Sequence, residues 1–365
     1  MKAARALAAL GLGLALLGAG IAAWGWSSWS RPGDTGDGAV RLVPITPGLT
    51  LSAAADTLQA RGLLAHRRVF LLGARLNGQD RGLRAGLYEL APGLSPRELL
   101  AILTSGRSVQ AKVTVTEGLD AEEVAAAVAA VFPFAAGAFL AAADSVVLAR
   151  AAAGELAGWP AGYVDLVRAE SDRRARTLHV AEGYLAPDTY VFALDSPPAA
   201  VAAHLVQTQL QRLAAVGAAG AGGRSPHEIL VLASIVEAEA RRADERARIA
   251  AVYVNRLARG RRLEADPTVA FVLGKKGQRL FYRDLEVDSP WNTYRVRGLP
   301  PGPIGSPGLA ALAAAAAPDT GCRALYFVSD GADGHVFSET AQEHEAAVRR
   351  FRALRAEARR EAAGH

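Results

Sequence analysis

Cysteine and lysine are nearly absent from this chain of 365 residues. The single cysteine, Cys322, excludes an internal disulfide and a zinc site built from several cysteines. No two histidines have the HExxH spacing, so we expect no metal and no cofactor. Because lysine is scarce, arginine supplies nearly all of the positive charge behind the net charge of +5. A coding bias toward alanine and arginine explains this more simply than a surface for an anionic partner, and we expect no nucleic-acid partner.

The length and composition limit the class of protein. Hydrophobic residues make up 51% and charged residues 21% of the chain, as in ordinary globular proteins. This balance excludes a chain that is disordered throughout and a protein with many membrane spans. The length is enough for two or three folded units.

The N-terminus predicts one membrane span. From Ala6 to Trp26 the sequence has no charged residue, and 21 helical residues at about 1.5 Å each cross a hydrocarbon layer about 30 Å thick. A cleaved signal peptide is the alternative, because Lys2 and Arg5 precede the apolar stretch. The stretch exceeds the usual ~7 to 15 residues of such peptides, and no A-x-A cleavage site follows it. We therefore expect a retained transmembrane helix within residues 1–30.

The charges around the span predict its orientation. Basic residues precede it and acidic residues follow soon after, so the positive-inside rule leaves a short tail in the cytoplasm and the rest of the chain outside. Three tryptophans suit an aromatic belt at the outer interface: Trp24, Trp26 and Trp29.

Residues 27–40 are rich in Gly, Ser, Asp and Pro, and we expect a linker over residues 31–40 before a small module over residues 41–111. The module combines a strand RLVPI, a helix capped by Thr50 or Ser52, and a helix PRELLAILTSG that ends at Gly106. It contains no cluster of His, Glu or Asp with catalytic spacing, so a binding or spacing role is expected.

A long helix is predicted from Ser225 to Gly260. Ser225-Pro226 with Glu228 forms a capping box, and the apolar run ILVLASIV follows it. Glu237 shares a helical stripe with Leu230, whereas Glu239 is rotated by about 200° from that stripe. The two carboxylates are therefore not expected to act as a pair.

Glu237 is the candidate catalytic residue. A glutamate at the end of an apolar run is partly desolvated, which suits it to donate a proton near neutral pH. The alternative is that Glu237 begins the solvated half of the helix and pairs with Arg241 four residues later.

Long segments rich in Pro, Gly and aromatic residues surround this helix and predict loops that line a binding cleft. Residues 180–192, VAEGYLAPDTYVF, form one such loop.

Five ordered motifs, GYLAPDTY, LASIVEAEA, VYVNRL with RLEADPTV, NTYRVRGLPPGPI and YFVSDGADGHVFS, resemble the YceG-like family of endolytic murein transglycosylases, the MltG type. The resemblance covers residues 112–358, and residues 41–111 resemble the LysM-like module that precedes the catalytic domain in this family. The resemblance thus implies an α+β protein with three parts. These are a transmembrane helix, a small LysM-like α+β module and a larger α+β catalytic domain whose long helix carries the catalytic glutamate.

The resemblance implies an enzyme that cuts the β-1,4 bond between N-acetylmuramic acid and N-acetylglucosamine in nascent peptidoglycan strands. The family's catalytic glutamate corresponds to Glu237. One glutamate suffices for this reaction, because the sugar's own C6 hydroxyl is the nucleophile and closes a 1,6-anhydro ring. The implied location is the bacterial cytoplasmic (inner) membrane, with the catalytic domain facing the periplasm or cell wall. Penicillin-binding proteins, the peptidoglycan synthases, are the expected protein partners.

The resemblance also implies a set of substrate-binding residues: Glu182, Asp188, Asn255, Asp266, Asn292, Thr293, Tyr294 and His335. The first four either bind sugar hydroxyl and acetamido groups or cap and brace the loops. Trp291, which precedes the next three, either stacks on a sugar face or belongs to the core.

Two other functions remain open from the sequence. One is a noncatalytic scaffold that binds glycan and recruits synthases. The other is a hydrolase with a second carboxylate, such as Glu182 or Asp266, because hydrolysing glycosidases use two carboxyl groups.

Overall fold

The computed structural model describes residues 2–34, 37–174, 176–217 and 223–363. Its contacts divide the chain into two compact units. The first comprises the residues up to Ala111 together with Val191–Ser196, and the second comprises Lys112–Tyr190 and the residues from Pro197 onward.

The first unit is a small α+β module preceded by a long apolar helix. Its elements are α1 (Lys2–Ser30), β1 (Arg41–Ile45), α2 (Leu51–Ala60), α3 (Arg67–Leu76), β2 (Gly86–Leu90) and α4 (Pro96–Ser105). Strands β1 and β2 pair antiparallel, with Val43 opposite Tyr88. Alternate residues of both strands are buried against the three shorter helices. Residues Leu10–Ser30 of α1 are long and apolar enough to cross a membrane.

Local sequence explains where the helices of this unit begin and end. The hydroxyl of Thr50 accepts a hydrogen bond from the Ala53 N–H at 3.2 Å and begins α2. Ser95 and Glu98 form a capping box at α4, which ends at the left-handed Gly106. Of the two predicted caps, Thr50 and Ser52, the structure has Thr50, and the predicted end at Gly106 is confirmed.

The second unit is mostly helical. Its elements are α5 (Ala121–Ala129), α6 (Ala136–Ala152), α7 (Tyr163–Arg173), α8 (Pro198–Gly217), α9 (Pro226–Glu239), α10 (Arg246–Ala258), α11 (Asp266–Leu273), α12 (Leu309–Ala316), β5 (Tyr326–Ser329), β6 (His335–Ser338) and α13 (Ala341–Ala363). Strands β5 and β6 form an antiparallel hairpin. Strands β3 (Gln110–Thr114) and β4 (Thr189–Ala193) pair with each other, so the described strands form three two-stranded sheets.

Helix α9 lies at the centre of the second unit and packs against α8, α10, α11 and α12. Its residues from Ile229 to Val236 are all buried. A helix that is apolar on every side needs neighbours on every side, and this sequence supplies them.

The mixed α+β class and the N-terminal apolar helix are confirmed, but the single helix predicted from Ser225 to Gly260 is wrong. Helix α9 ends at Glu239, because Ala240 adopts an extended conformation. A 3-10 turn over Ala243–Glu245 then leads into α10. No glycine or proline marks this break, so helix propensity gave no warning of it.

Two glycines of the second unit should respond oppositely to substitution by alanine. A Cβ on Gly302 would lie 2.0 Å from the Tyr163 hydroxyl oxygen, whereas a Cβ on Gly137 meets nothing within 4 Å. We expect Gly302→Ala to destabilise the protein by about 1–3 kcal/mol through overpacking. Gly137→Ala, inside α6, should stabilise it by about 0.5–1 kcal/mol. Thermal melting of both variants tests this, and equal melting temperatures would contradict the packing described.

Candidate active site

Glu237 lies in the last turn of α9, where the buried part of the helix ends. Its side chain is only 7% exposed. The capping box of Ser225 and Glu228 fixes the start of this helix, three turns earlier. The carboxylate is therefore held on a rigid element and has little access to water.

Each oxygen of the Glu237 carboxylate accepts one hydrogen bond. Arg246, the first residue of α10, donates from Nη2 to Oε1 at 2.9 Å. The backbone N–H of Gly308, just before α12, donates to Oε2 at 3.0 Å. The ionic partner of Glu237 is thus Arg246 across the helix break and not Arg241, which lies beyond the end of α9.

Glu117 is a second carboxylate beside the same arginine. Its Oε2 lies 4.0 Å from Arg246 Nη2, and its side chain is 51% exposed. The distances of 2.9 and 4.0 Å from one nitrogen put an upper limit of about 7 Å on the separation between oxygens of Glu117 and Glu237. Carboxyl groups of glycosidases stand about 5 to 9.5 Å apart. Arg246 Nε is buried and has no hydrogen-bond partner among the residues that the structure describes.

Glycine permits the close approach of three backbone segments at this site. A Cβ on Gly308 would lie 1.8 Å from Glu117 Oε1, so a side chain there would displace Glu117. Gly118 has φ +78°, a conformation that favours glycine. A Cβ on Gly305 would lie 3.0 Å from the Gly118 carbonyl oxygen. The glycines of the PGPIGSPG segment therefore allow the backbone to approach both carboxylates closely.

Hydrogen bonds fasten this segment in place. The Ile304 N–H donates to the Ser234 hydroxyl of α9 at 3.1 Å. Gly118 N–H donates to the Ser306 carbonyl at 2.8 Å, and Ser306 N–H donates to the Leu119 carbonyl at 2.7 Å. Residues 304–308, the loop at 117–119 and the end of α9 thus form one connected frame.

A groove of about 640 Å³ lies on the outer side of the 117–119 loop. Lys276 lines it and donates to the Gly118 carbonyl at 2.8 Å. The other charged residues that line it are Asp120, Glu122, Glu123, Arg174 and Arg176. The groove has equal numbers of acidic and basic side chains.

Glu182 supports the frame from its buried side. It is 4% exposed, and its Oε2 accepts a hydrogen bond from the Ala121 N–H at 3.1 Å at the start of α5. Within the described part of the chain, its Oε1 has no hydrogen-bond partner. Burial raises the pKa of Glu182 to about 8, with a further contribution from the Asp120 carboxylate. Residues 180–187 are nearly all buried, so the predicted loop is packed inside the unit.

A second acidic cluster surrounds Glu239. Tyr253 donates to Glu239 Oε1 at 3.1 Å, and Tyr294 donates to Asp266 Oδ1 at 2.6 Å. Burial raises the pKa of Glu239 to about 7; the Tyr253 hydrogen bond opposes this shift and the Asp266 carboxylate adds to it. Burial and Asp266 also raise the pKa of Tyr294. The structure thus brings the predicted residues Asp266 and Tyr294 together.

The neighbouring predicted residues use their polar groups for hydrogen bonds within the protein. Asn292 is fully buried and donates to the carbonyls of Leu285 and Val287. Thr293 is also fully buried, and its hydroxyl accepts from the Ala265 N–H at 2.9 Å. Trp291 is 1% exposed and donates to the Gly302 carbonyl, which places it in the core.

The remaining three predicted residues lie apart from one another. Asp188 pairs with Arg212 at 2.6 Å. Asn255 donates to the carbonyls of residues 322 and 324. His335 contacts Glu245 through Nδ1 at 2.7 Å, at the start of β6. All three side chains are engaged within the protein.

The sequence analysis missed Glu117, Arg246 and Gly308. Glu117 is a single acidic residue that follows a strand. The glycine after it is the only sequence feature that could have indicated a site. Arg246 is nine residues from Glu237, and the helix break that brings it back has no local signature.

Comparison with known proteins agrees with the resemblance found in the sequence. The family model described as the YceG-like family matches residues 43–350. A solved structure of a YceG-like protein from Listeria monocytogenes superposes with a TM-score of 0.55 at 30% identity, covering 84% of this chain and 98% of that one.

Two characterised relatives share a name. The endolytic murein transglycosylase of Bacillus subtilis is 32% identical over 85% of this chain and 84% of its own length. That of Streptococcus pneumoniae is 29% identical over 82% of this chain, which spans 56% of that relative's length.

The buried Glu182 should make stability fall as pH rises. Its pKa is about 8 in the folded protein against an ordinary 4.5, so between these values only the unfolded chain loses the proton. We expect Glu182→Gln to reduce the decline in the free energy of unfolding between about pH 5 and pH 8 by a few kcal/mol. Denaturant unfolding across this range measures the effect, with the partly exposed Glu122→Gln as control. An unchanged slope in Glu182→Gln would contradict it.

Proposed function

We propose, from the premise that this chain belongs to the YceG-like family, that it is a membrane-anchored endolytic lytic transglycosylase of peptidoglycan. The observation that carries the proposal is the Glu237 carboxylate, nearly buried and held between Arg246 and the Gly308 N–H. The name of the Bacillus subtilis relative supports the reaction class.

The proposed reaction breaks the bond between C1 of N-acetylmuramic acid and O4 of N-acetylglucosamine. Glu237 donates its proton to O4 as the C1–O4 bond breaks. The C6 hydroxyl oxygen of the same muramic acid then bonds to C1, and the Glu237 carboxylate takes the hydroxyl proton. The products are a 1,6-anhydro end and a free 4-hydroxyl, and Glu237 has its proton back. Water takes no part.

The hydrogen bonds at Glu237 suit this proton cycle. Both of its partners, the guanidinium and the Gly308 N–H, only donate hydrogen bonds. A proton on either oxygen must therefore point away from both partners and needs an acceptor from outside. The glycosidic oxygen of a bound strand is such an acceptor.

Arg246 and Glu117 have positioning roles in this proposal. Arg246 holds Glu237 by one hydrogen bond and has Glu117 at 4.0 Å as a second anionic neighbour. When Glu237 turns toward substrate, the guanidinium keeps an ionic partner in Glu117. This lowers the free-energy cost of breaking the first ion pair in a site with little water.

The predicted substrate-binding residues fall into three groups according to their burial and their hydrogen-bond partners. Asp266 and Tyr294 lie in a partly exposed cluster beside the end of α9, and we retain them as sugar-binding candidates. For Glu182, Asn292 and Thr293 we favour bracing of the site, because they are buried with protein partners. Asp188, Asn255 and His335 are weaker candidates, because each is engaged away from Glu237.

The proposal includes a location and partners. Helix α1 anchors the protein in the bacterial inner membrane, and its basic N-terminus leaves both units outside the cytoplasm. Nascent glycan strands arise at this membrane surface, so penicillin-binding proteins are the natural partners. The module over residues 41–111 is LysM-like in this proposal and positions the strand.

A two-carboxylate hydrolase is the second candidate function, and the proximity of Glu117 to Glu237 favours it. Mass spectrometry of digested murein distinguishes the candidates. Anhydromuramyl ends support the lytic enzyme, reducing ends support the hydrolase, and binding without cleavage supports a scaffold.

Glu237→Gln tests the catalytic assignment directly. Glutamine keeps the shape of the side chain but cannot cycle a proton, so the rate of cleavage should fall at least ~100-fold. Binding of uncrosslinked glycan strands should persist. Glu239→Gln is the matched control, two residues away, and should reduce cleavage much less because Glu239 belongs to the Tyr253 cluster. If Glu239→Gln abolished anhydro ends and Glu237→Gln did not, the proton donor would be Glu239.

Arg246→Met should reduce kcat about 10- to 100-fold with little change in KM, because Glu237 would lose its orientation. Arg246→Lys retains the charge and should recover part of the rate. Arg242→Met, which removes an exposed pair with Asp244, is the control and should be near normal. A rise in KM at constant kcat would assign Arg246 to substrate binding instead.

A further inference from the structure

Helix α3 of the first unit has an exposed apolar stripe. Leu72 is 59% exposed and Leu76 is 78% exposed, and they continue from Val69, one turn earlier, which is partly buried against the module core. At 100° per residue these three side chains fall within a sector of about 60°. The opposite side of the helix is buried in the module core through Phe70 and Ala74. The stripe is therefore not a surface that the module itself covers.

The stripe adjoins the end of the apolar helix α1. Trp29 is 8% exposed and packs directly on Gly73, where a Cβ would lie 2.3 Å from its ring. The rings of Trp24 and His66 lie 5.5 Å apart. These contacts hold α3 against the last third of the candidate membrane span.

An apolar groove of about 550 Å³ joins the two surfaces. Residues of α1 that line it include Ile21, Trp24 and Trp26, and α3 contributes Leu72 and Leu76. The apolar surface of the span thus continues onto α3 without interruption.

Two arginines border the stripe on one side. Arg68 and Arg75 are both exposed and, seven residues apart, lie in line along the helix next to Leu72. An apolar stripe with an arginine row beside it is typical of helices that lie in a membrane interface, where the guanidinium groups reach lipid phosphates.

We propose that α3 is an interfacial helix, with Leu72 and Leu76 inserted among the lipid acyl chains beside α1 and Arg68 and Arg75 at anionic headgroups. The inference rests on the proposed membrane anchor. It adds a second attachment to the membrane, which holds the module against the outer face of the inner membrane. Continuity with the span favours lipid over a protein occupant, because any side chain beside residues 21–26 of an inserted α1 meets lipid first.

Site-specific fluorescence in the full chain tests this. In a Cys322→Ser background, a single cysteine replaces Leu72 or Leu76 and is labelled with the environment-sensitive dye NBD. Each labelled protein is reconstituted into phosphatidylcholine vesicles with and without phosphatidylglycerol. Leu42→Cys is the matched control, because Leu42 is an equally accessible leucine of the same unit on β1, 51% exposed and outside the groove. Leu16→Cys, in the middle of α1, reports insertion of the span.

We expect dyes at 72 and 76 to be quenched at least twofold by nitroxide on the lipid acyl chains, more strongly in vesicles with phosphatidylglycerol, and the dye at 42 to be unaffected. Arg68→Gln with Arg75→Gln should remove the dependence on phosphatidylglycerol. Quenching at 16 without quenching at 72 and 76 would overturn the inference and leave the anchor intact. A blue-shifted but unquenched dye at 72 would indicate a protein occupant and also overturn it. No quenching at 16 would refute the anchor and the inference together.

Discussion

The bridge from Arg246 through Glu237 to the Gly308 N–H is the constraint on which the architecture of the second unit depends. A guanidinium nine residues away can reach Glu237 only if the helix breaks after Glu239, and Ala240 makes that break. A backbone N–H can reach the other oxygen only if Gly308 approaches without a Cβ. The helix end and the glycine-rich segment are thus two consequences of enclosing one carboxylate.

Some buried polar atoms of the second unit lack a hydrogen-bond partner among the described residues, and Arg246 Nε and Glu182 Oε1 are two of them. Such atoms are rare in proteins, because each costs about 1–3 kcal/mol. Others belong to Glu170, Gln209 and His344, so the cost is spread over the unit. Burial of large aromatic side chains, such as Trp291, contributes to the stability that offsets this cost.

Periodicity and capping predicted much of the fold. The Thr50 and Ser225 caps, the stop at Gly106 and the buried stripe of α9 all follow from local chemistry. Glu237 was singled out because an apolar run ends on it and because the family resemblance includes it, and its catalytic role stays a prediction. Glu117 and Arg246 were not, because their proximity depends on tertiary contacts over intervals of many residues. The burial of Asn292 and Thr293 was missed for the same reason, since a polar residue in a loop reads equally as a ligand or a brace.

The presence of Glu117 shows why counting carboxylates does not decide between lysis and hydrolysis here. Its separation from Glu237, at most about 7 Å between oxygens, is compatible with the spacing of either retaining or inverting glycosidases. The Arg246 guanidinium is a cation shared by the two carboxylates, however. Neither Glu117 nor Glu237 can therefore activate a water without giving up its contact with Arg246. A water nucleophile would need Glu117 to act as base while still beside the guanidinium. In the proposed reaction the C6 hydroxyl needs only Glu237 as its base, after Glu237 has given its proton to the leaving oxygen. The shared guanidinium is thus a further argument for the proposed intramolecular attack.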